Sequence, residues 1–212
     1  MTTVIFIRHG QSECNLERRF AGQIDAKLTD LGIKQAESTA KVLARYPITR
    51  IYASPLSRAM NTAKPTAELL GLEIHPEQGL CEISAGEWEG LSFDTIAERY
   101  PEEFAHLQGD RSLLRLPGGE TMRELYDRVT TCVDRLAAEN QGGCIALFSH
   151  SMPLRSMVCR WTGAPFSEIG NIRGGPNASI TIAEYDDNGT AKILQMPNTD
   201  HLETVTALPM GL

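Results

Sequence analysis

The chain of 212 residues is 42% hydrophobic and 22% charged, long enough to bury a core of its own and read as one domain. A formal net charge of -7 with no basic tract argues against nucleic acid and anionic membrane surfaces as partners, so an anionic ligand has to be small and met by a local cluster of arginines. The apolar start is too short for a signal peptide or a membrane span. Five widely spaced cysteines (Cys14, Cys81, Cys132, Cys144, Cys159) without a C-x-x-C pair argue against a disulfide framework or a zinc site, and a cytoplasmic location is expected.

Val4-Ile5-Phe6-Ile7 reads as a short strand buried on both faces, and such strands are usually central and parallel. It delivers Arg8, His9 and Gly10 to its carboxyl end, where ligands collect in open α/β sheets. The polar stretch Gln11 to Lys27, with Asn15, Arg18, Arg19, Gly22 and Gln23, is a loop of functional length. Thr29 caps a helix running to about Tyr46, and Ile51-Tyr52-Ala53 is a second strand. Ser54 as N-cap and Pro55 at the first helical position predict a helix over Leu56 to Leu70, with Arg58 in its first turn. Glu73-Ile74-His75 reads as a short edge strand.

Leu80 to Ile83 and the glycine-bracketed Gly86-Glu87-Trp88-Glu89-Gly90 follow, and Trp88 is expected to pack between core and lid. A charge-rich helical excursion broken at Pro101 and Gly109 predicts a lid over about 91–116, too short to own a core. After the turn Pro117-Gly118-Gly119, Thr121 and Glu124 form a capping box for a helix to about Ala138. Cys144 to Phe148 is a third buried strand ending in Ser149-His150-Ser151, and Ser151 is the expected cap of a helix ending near Thr162. Gly174-Gly175-Pro176 reads as a turn. Strands at about Ser179 to Tyr185 and Ala191 to Gln195 flank an Asn188-Gly189 hairpin signal. The expected architecture is α/β: a three-layer α/β/α sandwich around a mostly parallel sheet with one antiparallel edge strand and a helical lid.

Three apolar strands thus end in chemistry: Arg8 and His9 after the first, Arg58 just past the second, His150 after the third. Two arginines and two histidines at one sheet edge, beside helix N-termini, suit a phosphate or similar oxyanion. No H-x-x-x-H or H-E-x-x-H spacing exists, and adjacent arginines would repel a cation, so covalent catalysis by histidine is preferred to a metal site.

Arg8-His9-Gly10 with Ser12 and Asn15, Leu28-Thr29, Gly32, Gln35-Ala36, Ser54-Pro55-Leu56 with Arg58-Ala59 and Thr62-Ala63, Glu82, Gly86 to Gly90, Pro117 to Glu120 and Ser149-His150 form an ordered set. It resembles the histidine phosphatase superfamily, which includes the cofactor-dependent phosphoglycerate mutases. The resemblance implies that His9 is a nucleophile forming phosphohistidine, that Arg8, Arg58 and His150 hold the phosphoryl oxygens, and that Glu82 is the general acid and then base. It also implies phosphoryl or substrate contacts for Asn15 and Gln23, and no metal or cofactor.

Where the family usually has glycine after the second histidine, this chain has Ser151, a candidate for an added substrate contact. Arg18, Arg19, Arg111 and Arg115 read as a solvated face, with a second anionic group of the substrate as the other reading. Asn177 and His201 echo family positions near the site.

The segment Gly86 to Leu91 is similar to the phosphatase branch, whereas mutase relatives carry a longer insert after the acid. The expected activity is hydrolysis of a small phosphorylated metabolite. A phosphoglycerate mutase and a non-catalytic phosphate-binding module are the alternatives, and a homodimer is left open.

Overall fold

Val4, Ile5, Phe6 and Ile7 are all fully buried, and their side chains alternate between two hydrophobic clusters. Val4 and Phe6 belong to one, Ile5 and Ile7 to the other. A strand with period-2 side chains can bury four apolar residues in a row only if both faces of its sheet are covered. The computed structural model, which describes residues 1–202 and Val205, shows that covering directly.

The six-stranded sheet comprises β1 (Thr2–Arg8), β2 (Arg50–Ala53), β3 (Ile74–Pro76), β4 (Cys144–Ser149), β5 (Ile180–Tyr185) and β6 (Ala191–Asn198), in the order β3-β2-β4-β1-β5-β6. β3, β2, β4 and β1 pair in parallel. β5 runs against β1, and β6 runs against β5. The one reversed strand is therefore β5, a place in from the edge, and β6, half exposed along its length, forms the edge itself.

Among the described residues there are seven α-helices: α1 (Glu13–Leu16), α2 (Asp30–Leu43), α3 (Ser57–Leu70), α4 (Phe93–Arg99), α5 (Pro101–Gln108), α6 (Met122–Glu139) and α7 (Ser151–Thr162). Apolar residues of α2 and α3 pack with Ile5 and Ile7; those of α6 and α7 pack with Val4 and Phe6. Ile96, Leu107, Leu114 and Leu116 of the excursion join this second cluster, so its core is the sheet's core. Trp88 is fully buried, edge-on to Phe20 at 5.5 Å and tilted against Tyr100 at 6.1 Å, the packing role expected of it. All five cysteines are buried and unpaired, and no described helix is long and apolar enough to cross a membrane.

Three local expectations are corrected. The loop after Gly10 contains α1, whose capping box pairs Ser12 with Asn15. Leu56, not Ser54, is the N-cap of α3: the Ser54 hydroxyl bonds His150 Nε2 at 2.8 Å and reaches forward only to Leu56 N, at 3.4 Å. His150, not Ser151, is the N-cap of α7. The Thr29 cap of α2 and the Thr121–Glu124 capping box of α6 form as expected.

The turn after β1 is seated on α2 through two glycines. A Cβ on Gly10 would lie 2.5 Å from Gly32 O, and one on Gly32 would lie 2.1 Å from Gln11 O. Both obstacles are backbone, so no rotamer change relieves them. Alanine normally favours a helix, but the clash is expected to decide the sign: Gly32→Ala should lower unfolding free energy by about 1–3 kcal/mol, as overpacking does. Denaturant unfolding checks it, and an unchanged midpoint at unchanged slope would show that the turn yields freely.

Candidate active site

Register brings the site together. Arg8 of β1 stands opposite Ser149 of β4, and Ala53 of β2 opposite Phe148, so the next residues, His9, His150 and Ser54, leave the sheet side by side. His9 N–H donates to Ser149 O at 2.9 Å, and Ser54 N–H to Phe148 O at 2.9 Å, which extends the ladder one step past the strand ends. The two imidazole rings lie with centroids 5.1 Å apart.

His9 is 4% exposed, and its Nδ1 is 2.6 Å from Gly10 O. A carbonyl can only accept, so the proton sits on Nδ1 and the lone pair on Nε2 is free. Burial, then the positive charges of Arg58 and Arg8, hold the His9 pKa well below its ordinary 6.5, which keeps the ring neutral. His150 is lowered in the same way, by burial, Arg58, His9 and Arg8. Its Nε2 meets Ser54 Oγ, and its buried Nδ1 has no partner. The tautomer in which Ser54 donates to Nε2 leaves a proton on Nδ1, while that in which Ser54 donates to Cys81 Sγ at 3.7 Å leaves it on Nε2.

Arg8 and Arg58 are both anchored by backbone carbonyls rather than by acids. Arg8 donates to Gly175 O at 2.6 Å; Arg58 donates to Ile24 O at 2.8 Å and Gly22 O at 2.7 Å. Burial pulls the Arg8 pKa down to about 10, so both guanidiniums stay charged near neutrality. The buried Nε of each lacks a partner. Unpaired buried polar atoms are costly, and Arg8, Arg58 and His150 each carry one.

Glu82 lies on a strip without regular secondary structure between Leu80 and Gly86. Its carboxylate accepts from its own neighbour's amide, Ile83 N, at 2.9 Å, and from Ser151 N at 3.2 Å and Met152 N at 3.5 Å, at the start of α7. These donors and the two arginines favour the ionised form, but burial outweighs them and raises the pKa above its ordinary 4.5. A buried carboxyl raised in this way can hold a proton close to the oxyanion site and take it back.

The other expected contacts divide. Gln23 is exposed, and its side-chain amide donates to Glu82 O at 3.0 Å. Asn15 Oδ1 is taken up by the α1 cap, accepting from Ser12 N and Ser12 Oγ, and by Asn177 Nδ2 at 3.0 Å. Asn177 also donates to His9 O at 3.0 Å, so both asparagines brace the turn that carries His9. Ser151 supplies its amide to Glu82, and its Oγ lies against Gly174. Arg19 pairs with Glu17 on the surface, Arg18 and Arg115 are exposed, and His201 bonds Thr39 of α2.

Sequence reasoning missed several participants. Thr62 Oγ1 accepts from Gly10 N at 3.0 Å, and Gln35 Oε1 from Gln11 N at 2.8 Å, tying the turn to α3 and α2. The Gly174-Gly175-Pro176 turn carries the carbonyl that holds Arg8. Arg155, in the second turn of α7, donates to Ile169 O at 3.1 Å and Gly170 O at 3.2 Å, yet its buried Nε has no partner. Burial, Arg111 and Arg8 lower its pKa to about 9. Its position one turn beyond Ser151 was the available signal.

The sequence profile of the histidine phosphatase superfamily (branch 1) matches residues 4–198. The chain belongs to this superfamily. It is 32% identical to phosphoserine phosphatase 1 of Hydrogenobacter thermophilus over 95% of each chain. Among solved structures it is similar to Bacillus stearothermophilus YhfR, with a TM-score of 0.91, 27% identity and coverage of 96% of this chain and 100% of that one. It is also similar to a phosphoserine phosphatase mutant from Entamoeba histolytica in complex with phosphoserine, with a TM-score of 0.83, 25% identity and coverage of 95% and 100%.

Neutral, buried histidines give a titration signature. Their folded pKa values lie below 6.5, so the unfolded chain binds more protons, and stability should fall as the pH drops below 6.5. In an NMR titration His9 and His150 should remain neutral at pH 6, and phosphate should raise both pKa values. Imidazoles that titrate near 6.5 without phosphate, and do not respond to it, would contradict this electrostatic picture.

Proposed function

We propose that this chain is a metal-independent phosphomonoesterase acting through a phosphohistidine. The observation that carries the reading is the free Nε2 of a neutral His9, fixed by the Nδ1 bond to Gly10 O and flanked by the unpartnered buried nitrogens of Arg8, Arg58 and His150. His9 Nε2 attacks phosphorus, the bond from phosphorus to the ester oxygen breaks, and Glu82 gives its proton to the departing alkoxide. Arg8, Arg58 and His150 hold the phosphoryl oxygens as their charge redistributes. Glu82, now a carboxylate, takes a proton from water as the water oxygen attacks the phosphohistidine; the P–N bond breaks and inorganic phosphate leaves. Asn15 and Asn177 hold the nucleophile's turn, while Gln23 and Ser151 serve Glu82 through its carbonyl and carboxylate.

The same reading extends to the rest of the substrate. Arg111 is half-buried, bonded through Nε to Leu107 O at 2.6 Å, and neither it nor Arg155 forms an ion pair among the described residues. A Cβ on Gly170, whose carbonyl receives Arg155, would come within 3.3 Å of Arg111 N, so the two segments meet. Once Glu82 is protonated, cations outnumber the charge of one phosphoryl group. A carboxylate near the ester oxygen matches the surplus, in keeping with the phosphoserine named in the relatives.

Hydrolysis of p-nitrophenyl phosphate in excess EDTA, comparing wild type with His9→Ala, tests the chemistry. Turnover that is lost in the variant, with an acid-labile phosphoprotein trapped only in the wild type, is the expected result. Phosphoglycerate interconversion with negligible hydrolysis would replace this reading with a mutase, and neither activity would leave a binding module.

For the substrate, O-phosphoserine is compared with phosphoethanolamine, which lacks the carboxylate. Arg155→Met should raise KM for phosphoserine by about 10- to 100-fold, the equivalent of one charged hydrogen bond, and affect phosphoethanolamine far less. An equal effect on both would remove Arg155 from substrate recognition.

A further inference from the structure

Residues 79–84 have no ladder and only a short helical turn at their start, yet they must present Glu82 to the reacting centre. Such a strip needs partners for its backbone groups. Arg128, in the second turn of α6, supplies them. Its Nη1 donates to Gly79 O at 3.1 Å and Cys81 O at 3.0 Å, and its Nη2 to Glu82 O at 3.3 Å. The remaining two N–H groups go to Glu120, Nε to Oε1 and Nη2 to Oε2, both at 2.8 Å. A guanidinium has five N–H donors, and here every one is used.

Glu120 closes the arrangement from the other side. Its Oε2 accepts from Ser84 N at 2.8 Å, and its own backbone N–H donates to Ser84 O at 2.9 Å. The strip is therefore held at residues 79, 81, 82 and 84 by one ion pair, on either side of the acid. Gln23 adds a second donor to Glu82 O. By contrast, two of the bonds to the Glu82 carboxylate itself, from Ser151 N and Met152 N, are long at 3.2 and 3.5 Å. The aim of the acid is set mainly by its backbone.

We infer that Arg128 and Glu120 are positioning residues for the proton transfer by Glu82, acting as a clasp on the backbone that carries it. The inference rests on the reading of Glu82 as the general acid. Lysine cannot reproduce the clasp, since an ammonium has three donors and no planar fork. A misplacement of about 1 Å in a reacting group can cost on the order of 10²-fold in rate.

Leaving-group dependence separates positioning from mere support of the fold. Nitrophenolate departs without a proton, whereas an alkoxide needs one, and kcat/KM reports the steps through its departure. The full-length chain, Arg128→Lys, Glu120→Gln and Glu82→Gln are assayed on phosphate esters running from p-nitrophenyl to simple alkyl, with thermal midpoints measured alongside. Glu82→Gln should lose most on the alkyl esters. Arg128→Lys should follow the same slope less steeply, losing about 10- to 100-fold on alkyl esters while the nitrophenyl ester is hardly slowed. Glu120→Gln, the milder change, keeps the test available if the arginine variant folds poorly. A steep series for Glu82→Gln with uniform loss or no loss in both clasp variants overturns the clasp alone. A flat series for Glu82→Gln overturns the general-acid reading and the clasp with it.

Discussion

The parallel register of β1 against β4 sets the positions on which everything else depends. Because Arg8 stands opposite Ser149, the residues that follow each strand are His9 and His150, and their rings meet at 5.1 Å. A slip of one residue would turn every side chain of β1 to the opposite face and send Val4 and Phe6 into the wrong core. The hydrophobic pattern that secures the sheet therefore also secures the distance between two histidines. Site geometry and core packing are here one constraint seen from two ends of the same strands.

That constraint gathers positive charge where water is excluded. Arg8 and Arg58 are held by carbonyls of loop residues, which satisfy their donors without neutralising them. Carboxylate partners would have offset that charge directly. The protein instead keeps one carboxyl beside these charges, Glu82, whose pKa burial raises above its ordinary value. The same burial keeps both histidines neutral. A low local dielectric thus shifts the carboxyl and both imidazoles toward their neutral forms, and makes each unpaired buried donor more costly.

Most of the frame was legible in the sequence, because it rests on short-range patterns. Four buried apolar residues announce a central strand, and Thr29 and the Thr121–Glu124 pair announce helix starts. Arg8, His9 and His150 stood out because each ends or follows a strand, and Arg58 because it lies in the first turn of the helix after one. What escaped has its cause in long-range pairing. Ser54 looked like a cap and is drawn off by His150, 96 positions away. Asn15 reads as a phosphoryl or substrate contact, and its Oδ1 is engaged by Ser12 and by Asn177, the latter 162 positions away. Arg155 and Arg128 sit on helix surfaces where an arginine is usually solvated, and beyond the place of Arg155 one turn after Ser151 nothing local marks the carbonyls they bond.

The segments that carry the site outside the sheet have no ladder of their own, so side chains take over what strands do elsewhere. Asn177 satisfies His9 O, Thr62 satisfies Gly10 N, Gln35 satisfies Gln11 N, and Arg128 with Glu120 satisfies the strip around Glu82. Each replaces a repeatable backbone bond with one that only a particular residue can make. Glycines complete the arrangement where even a Cβ would intrude: at Gly10 and Gly32 in the turn that carries His9, and at Gly86 and Gly119, whose Cβ atoms would lie 2.2 Å from Pro117 O and Ser84 O. His9 and Glu82 therefore stand on loops that are individually irregular and jointly braced. Substitutions in those braces should disturb chemistry sooner than they disturb the fold, since the two hydrophobic cores hold the sheet whether or not the loops keep their aim.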